Sequence, residues 1–130
     1  MKQMKKILAL IFTINMIIGC TKEGSNNQFG PEIRLSNSSQ HDFKNIIINT
    51  GTGEVAFGDL GSGKQTEYKK FDRAYRYAFV KLEIDGKVYT IQPIDYVGEK
   101  ALNAGRYTYQ INVAANQGQY DSLDLKLIKE

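Results

Sequence analysis

With 130 residues, 42% of them hydrophobic and 24% charged, the chain has the make-up of one small folded domain and lacks the length for two. Its formal charge of +3 is that of Lys2, Lys5 and Lys6; the other basic residues balance the 14 acidic ones, so no basic surface argues for nucleic acid. One cysteine and one histidine exclude a disulfide framework and leave no nitrogen and sulfur set for a metal or other cofactor.

The first element is a leader. Lys2, Lys5 and Lys6 precede an apolar run from Ile7 to Ile18, followed by the small Gly19 and by Cys20, which is the order of a secretory signal peptide. As a helix rising about 1.5 Å per residue, the run would cover about 18 Å of a hydrocarbon core about 30 Å thick, too little for a stable span. The closing residues Ile17-Ile18-Gly19-Cys20 resemble the lipobox of bacterial lipoproteins. That resemblance implies cleavage between Gly19 and Cys20, a diacylglyceryl thioether on the Cys20 sulfur, and acylation of the new amino group by palmitate-type chains. Two or more chains, at roughly 0.8 kcal/mol per buried methylene, anchor durably where one binds only marginally.

The expected organisation is therefore a signal peptide over 1–19, a lipidated cysteine and flexible tether over 20–31, and a β domain over 32–130. The tether, Thr21-Lys22-Glu23-Gly24-Ser25-Asn26-Asn27-Gln28 and Phe29-Gly30-Pro31, is too polar and small to bury a core. Thr21 stands where an aspartate would retain a Gram-negative lipoprotein in the inner membrane, so the resemblance implies the outer membrane. Lys22-Glu23 resembles part of a Bacteroidetes surface-export signal without its acidic run, which leaves the periplasmic and surface faces both open.

From Glu32 onward the pattern has period two, interrupted by glycine turns. Ile33 and Leu35 alternate with Arg34 and Ser36. Asn45 to Asn49 holds three consecutive isoleucines, as in a strand buried on both faces or lying at a sheet crossing. Thr50-Gly51-Thr52-Gly53 turns the chain, Val55 and Phe57 mark a strand, Gly58 to Gly63 turns it again, and Thr66, Tyr68 and Lys70 alternate with Gln65, Glu67 and Lys69. Asp85-Gly86 between alternating runs specifies a two-residue hairpin. It pairs Leu82 with Tyr89, Val80 with Ile91 and Ala78 with Pro93, and it puts Ala78, Val80, Leu82 and Ile91 on the core face. Pro93 has no amide hydrogen, so the ladder should fail near it.

Tyr107, Tyr109, Ile111 and Val113 then face inward, with Arg106, Thr108, Gln110 and Asn112 outward, and Leu123, Leu125 and Leu127 make a last strand. Gly105-Arg106-Tyr107 resembles the tyrosine corner of immunoglobulin-like and fibronectin-like sandwiches, in which the hydroxyl bonds back to the preceding loop. Seven to eight short strands predict an all-β, two-sheet antiparallel immunoglobulin-like sandwich. As a whole, the chain resembles the small lipoproteins with immunoglobulin-like domains found in Bacteroidetes.

No stretch carries a convincing catalytic set, and the chain reads as a non-enzyme. Gly58-Asp59-Leu60-Gly61-Ser62-Gly63-Lys64 matches most of a phosphate-binding loop, but Gln65 replaces the hydroxyl residue and a strand pattern follows in place of a helix. His41 and Asp42, with Ser38 and Ser39, crowd one loop, whereas a hydrolytic triad converges from separate elements. Asp121 and Asp124 lack the oxygen spacing of a calcium loop. The candidate binding residues are Tyr75, Tyr77 and Phe79, alternating on the outward hairpin face, with Gln92 across from them and Tyr96 just beyond. Rigid rings beside amides suit a sugar or a protein partner. Alternatively, the row is covered by the Asp95-to-Leu102 loop or the Lys70-to-Ala74 connection. The expected role is a lipid-anchored envelope protein with a non-catalytic binding or structural domain, its partner another envelope protein or a polysaccharide. The alternative is a glycan-binding accessory of a surface uptake system.

Overall fold

A computed structural model describes residues 30–93, 95–114 and 123–130. Among them are eight strands: β1 Pro31–Asn37, β2 Phe43–Asn49, β3 Glu54–Leu60, β4 Lys69–Lys70, β5 Phe79–Ile84, β6 Lys87–Ile91, β7 Gly105–Val113 and β8 Leu123–Lys129. They form two four-stranded sheets, in the orders β4-β1-β7-β8 and β3-β2-β5-β6. The fold is the two-sheet all-β sandwich that the turn spacing predicts.

Alternation decides which side chains lie between the sheets. Ile33 and Leu35 of β1, Ile46 and Ile48 of β2, Val80 and Leu82 of β5, and Tyr109 and Ile111 of β7 are all fully buried. Each is two residues from its partner, so one face of each strand supplies the core. Burying one such side chain contributes about 1.5–3 kcal/mol, and in the absence of a disulfide this packing is the main source of stability.

The hairpin forms in the predicted register, with Val80 opposite Ile91 and Leu82 opposite Tyr89. Asp85 and Gly86 both have positive φ, 51° and 80°, the combination that makes Asp-Gly suitable here. The ladder stops at Ile91, before Pro93, so the expected Ala78 to Pro93 pairing does not form.

Several details differ from the expectation. The pairs are antiparallel except β1–β7, which is parallel and aligns Ile33 with Tyr107 and Leu35 with Tyr109. The triple isoleucine of β2 is not buried on both faces. A bulge at Asn45, φ 53°, shifts the register, leaving Ile46 and Ile48 inward and Ile47 half-buried on the outside. The Asp59 carboxylate accepts the Asn45 amide at 3.0 Å and holds the bulge. The alternating run from Gln65 to Lys70 gives only a bridge at Gln65 and the two-residue β4. Between them, Leu35 donates its amide to Thr66 Oγ1 at 2.9 Å, so a side chain takes the place of a ladder carbonyl.

Thr108 does point outward from β7, yet it is buried. Arg34 Nε donates to its hydroxyl at 3.0 Å, and that hydroxyl donates to the Glu130 carboxylate. Beside them the guanidinium groups of Arg34 and Arg106 lie 4.9 and 4.7 Å from the centre of the Tyr68 ring, covering this face of the sheet.

The strand directions sort the connections into two ends. At one end lie the start of β1 at Pro31, the 50–53 turn, the 71–78 connection and the 92–104 loop. At the other lie the 38–42 loop, the 61–64 turn and the Asp85-Gly86 hairpin.

Candidate functional site

The first end gathers the predicted aromatic residues. Tyr96, from the 92–104 loop, stacks on Tyr75 with ring centres 4.5 Å apart and on Tyr77 at 5.5 Å, the planes within 11° and 22° of parallel. Its hydroxyl donates to the Asn49 carbonyl at 3.3 Å, at the end of β2. The Tyr77 hydroxyl donates to the Asp95 carbonyl, also at 3.3 Å, which ties the same loop down a second time. Both phenols are held above the usual range, first by loss of hydration; for Tyr77 the Glu99 carboxylate adds to the effect. Phe79 is half-buried at the start of β5, and Gln92 is exposed beyond β6.

Tyr75, Tyr77 and Tyr96 therefore form a stack in which the rings cover one another. Tyr96 of the Asp95-to-Leu102 loop covers Tyr75 and Tyr77, the second of the two arrangements the alternation allows, while Phe79 is half-buried. What remains accessible is ring edges, outer faces and the loop itself.

This end is braced from the core. The Tyr109 hydroxyl, at the centre of the sandwich, donates to the Tyr75 carbonyl at 2.6 Å, and burial pushes that phenol far above its ordinary value. Buried Thr50 donates to the Arg73 carbonyl at 2.6 Å, and the Leu102 amide donates to the Ala74 carbonyl at 2.8 Å. Tyr107 donates its hydroxyl back to the Asn103 carbonyl at 3.0 Å, the bond that the tyrosine-corner resemblance implies. Gly30 sits so close to the 71–72 backbone that an added Cβ would lie 1.7 Å from the Phe71 carbonyl oxygen. No residue with a side chain fits there without moving that segment.

Beside the stack is an open groove of about 470 Å³, lined by Arg76, Glu99, Leu102, Asn103, Tyr107 and Leu127 among others. Arg76 and Glu99 form an ion pair across it at 3.7 Å, with the Arg76 side chain 72% exposed. The residues come from four separate segments, and no local sequence signal brings them together. The arrangement can offer a cation, a carboxylate, aliphatic surface and tyrosine edges to a ligand, and no paired acid and base aimed at a common point.

The other sequence candidates lie at the opposite end. Asn37 is fully buried and makes four bonds: Nδ2 donates to the carbonyls of His41 at 2.7 Å and Leu60 at 3.0 Å, while Oδ1 accepts from the Ser39 amide at 2.9 Å and hydroxyl at 2.7 Å. Asn37-Ser38-Ser39 is thus a clamp joining two loops. His41 is exposed, and Asp42 accepts the Ser62 amide at 2.9 Å instead of orienting the imidazole. That carboxylate also occupies an amide that a phosphate would need, so the Gly58-to-Lys64 stretch is a strand end and a turn, with no following helix. Among the described residues no three histidine, cysteine, aspartate or glutamate side chains converge as a metal site. Gly19, Cys20 and Asp121 lie outside the described residues.

No known protein family matches the chain, and no curated protein does. Among solved structures, the NMR structure of a protein from Eubacterium rectale superposes with a TM-score of 0.49 at 18% identity, covering 77% of this chain and 87% of that one.

Proposed function

We propose that this chain is a lipid-anchored protein of the bacterial envelope, held through acylated Cys20 in the outer membrane, whose sandwich binds or scaffolds and does not catalyse. The observation that carries the reading is the run Ile17-Ile18-Gly19-Cys20 behind a lysine cluster and a short apolar segment, eleven residues ahead of the first strand. A folded domain starting at Pro31 leaves the residues after Cys20 as the link between the lipid and the sandwich. The braced loops and open groove suit a binding role, and His41 and Asp42 serve loop structure instead of forming a reacting pair.

The test is fractionation of cells expressing the full chain beside its Cys20→Ser variant. The parent should sediment with membranes and need detergent for release, and the variant should lose that behaviour. Identical fractionation of the two would refute the anchor.

A glycan-binding role is the second reading, favoured by Tyr75, Tyr77 and Tyr96 clustering beside a groove with Gln92 close in sequence. Because the rings stack on one another, a sugar would have to use their outer faces or the Arg76 and Glu99 groove. That geometry suits a protein or polymer strand better than a single sugar ring on an open platform.

A further inference from the structure

We infer that the tyrosine-rich end of the sandwich rests on the lipid surface, with Val97 entering the headgroup layer. The inference depends on the lipid-anchor reading and adds to it an orientation and a second point of contact. Val97 is 87% exposed, against 57% for Val88, the other large hydrophobic side chain left open among the described residues. It sits at the tip of a built turn: the Val97 amide donates to Asp95 Oδ1 at 3.0 Å, the Glu99 amide donates to the Tyr96 carbonyl at 3.0 Å, and Gly98 has φ 82°. Tyr96, one residue before, is clamped in the ring stack, so the exposed valine is held at a fixed apex.

Chain geometry says what this apex faces. β1 starts at Pro31, just after Gly30, at the same end, beside Phe71 and next to Gly105, the residue that follows the 92–104 loop. Gly30 is ten Cα-to-Cα steps along the chain from Cys20. At about 3.5 Å each they reach at most about 35 Å. The opposite end lies a strand farther away, and a seven-residue strand is about 23 Å long. To set the hairpin end on the membrane, the tether would have to use most of its reach running back along the domain. Setting the tyrosine end there needs no such detour.

The side chains at this end suit an interface. Tyrosines favour the headgroup level, where the ring is shielded and the hydroxyl stays wet. Arg73, Arg76 and Lys100 are exposed around the apex, and Asp72, Asp95 and Glu99 lie among them. Cations and acids are thus close to balance, so contact with a zwitterionic headgroup layer rests on Val97 and the tyrosine edges, with little from net charge.

The test uses the full chain extracted from membranes and reconstituted into phosphatidylcholine and phosphatidylethanolamine vesicles, probed with a thiol-reactive NBD fluorophore. A thioether at Cys20 leaves no free thiol, so the parent should take no label; a labelled parent would overturn the anchor and this inference with it. Val97→Cys and Lys87→Cys then place the fluorophore at opposite ends, both at exposed positions that spare the core. In vesicles carrying shallow nitroxide-labelled lipid, the label at 97 should lose most of its emission and the label at 87 should keep it. Equal quenching at the two positions, or none at 97, would overturn the inference while leaving the anchor standing. Shielding of position 97 in native envelopes but not in vesicles would likewise overturn it, and would assign the end to a protein partner.

Discussion

The Asn37 clamp gives the most severe test of how the loops are held. Asn37→Asp keeps the shape of the side chain and replaces the amide nitrogen, which donates to the His41 and Leu60 carbonyls at 2.7 and 3.0 Å, with an acceptor oxygen. Two donated bonds, each worth about 0.5–1.5 kcal/mol, become contacts between acceptors. At neutral pH the new carboxylate keeps the Ser39 amide and hydroxyl as donors to one oxygen but is a charge without a counter-ion at a fully buried position. A buried charge without a counter-ion costs up to about 3–5 kcal/mol, a large part of the roughly 5–15 kcal/mol that holds a domain of this size together.

Burial and the two carbonyl dipoles should raise the folded-state pKa of this new acid above its unfolded value of about 3.9. The folded form then binds the proton more tightly than the unfolded one. The deficit should therefore be smallest below about pH 4 and grow as pH rises. The assay is urea unfolding of the Phe29-to-Glu130 chain and its variant across pH 4 to 8. A variant within about 1 kcal/mol of the parent at pH 7, or a deficit that grows toward acid, would refute the clamp.

Tyr109→Phe should cost about 1–3 kcal/mol in the same assay, because the Tyr75 carbonyl loses its buried donor while the ring still packs. Gly30→Ala should destabilise by about 1–3 kcal/mol, with faster amide exchange at Phe71, since the added methyl meets backbone and not a side chain that can swing away. Tyr96→Ala should cost about 1–3 kcal/mol from two lost stacking contacts and speed exchange at the Glu99 amide; an unchanged loop would mean that the stack does not brace it. Tyr77, Tyr96 and Tyr109 have raised folded-state values, so their contribution is intact below about pH 10 and is lost as pH rises beyond it. Phenolate absorbance should show Tyr109 ionising only as the protein unfolds.

What could be read from the sequence was what is local. Asp85-Gly86 fixes its own turn and, through it, the register of β5 on β6, because the signal and the contacts lie within a dozen residues. The same holds for the alternation of β1, β7 and β8. The parallel pairing of β1 with β7 joins positions 74 residues apart, as in the bond from Arg34 to Thr108, and neither strand carries a mark of its partner. The burial of Asn37 has no local signal, because burial of an asparagine depends on its partners, and one of its four, the Leu60 carbonyl, is 23 residues away. Alternation put Tyr75, Tyr77 and Phe79 on the outward face, but whether a loop covers that face depends on where Tyr96 lands, and period-two patterning says nothing about a connection. Gln65 to Lys70 has the pattern of a strand and forms little of one, since Thr66 offers its hydroxyl where the neighbouring strand needs an acceptor.

The proposed lipid anchor requires Cys20 to be the first residue of the mature chain and to carry the lipid. Intact-mass and N-terminal peptide mass spectrometry of the protein extracted from a bacterial envelope measures this directly. The expected chain begins at Cys20, with the mass of a diacylglyceryl group and an acyl chain on that residue. A chain that keeps residues 1–19, or one that begins elsewhere with an unmodified Cys20 thiol, would contradict it.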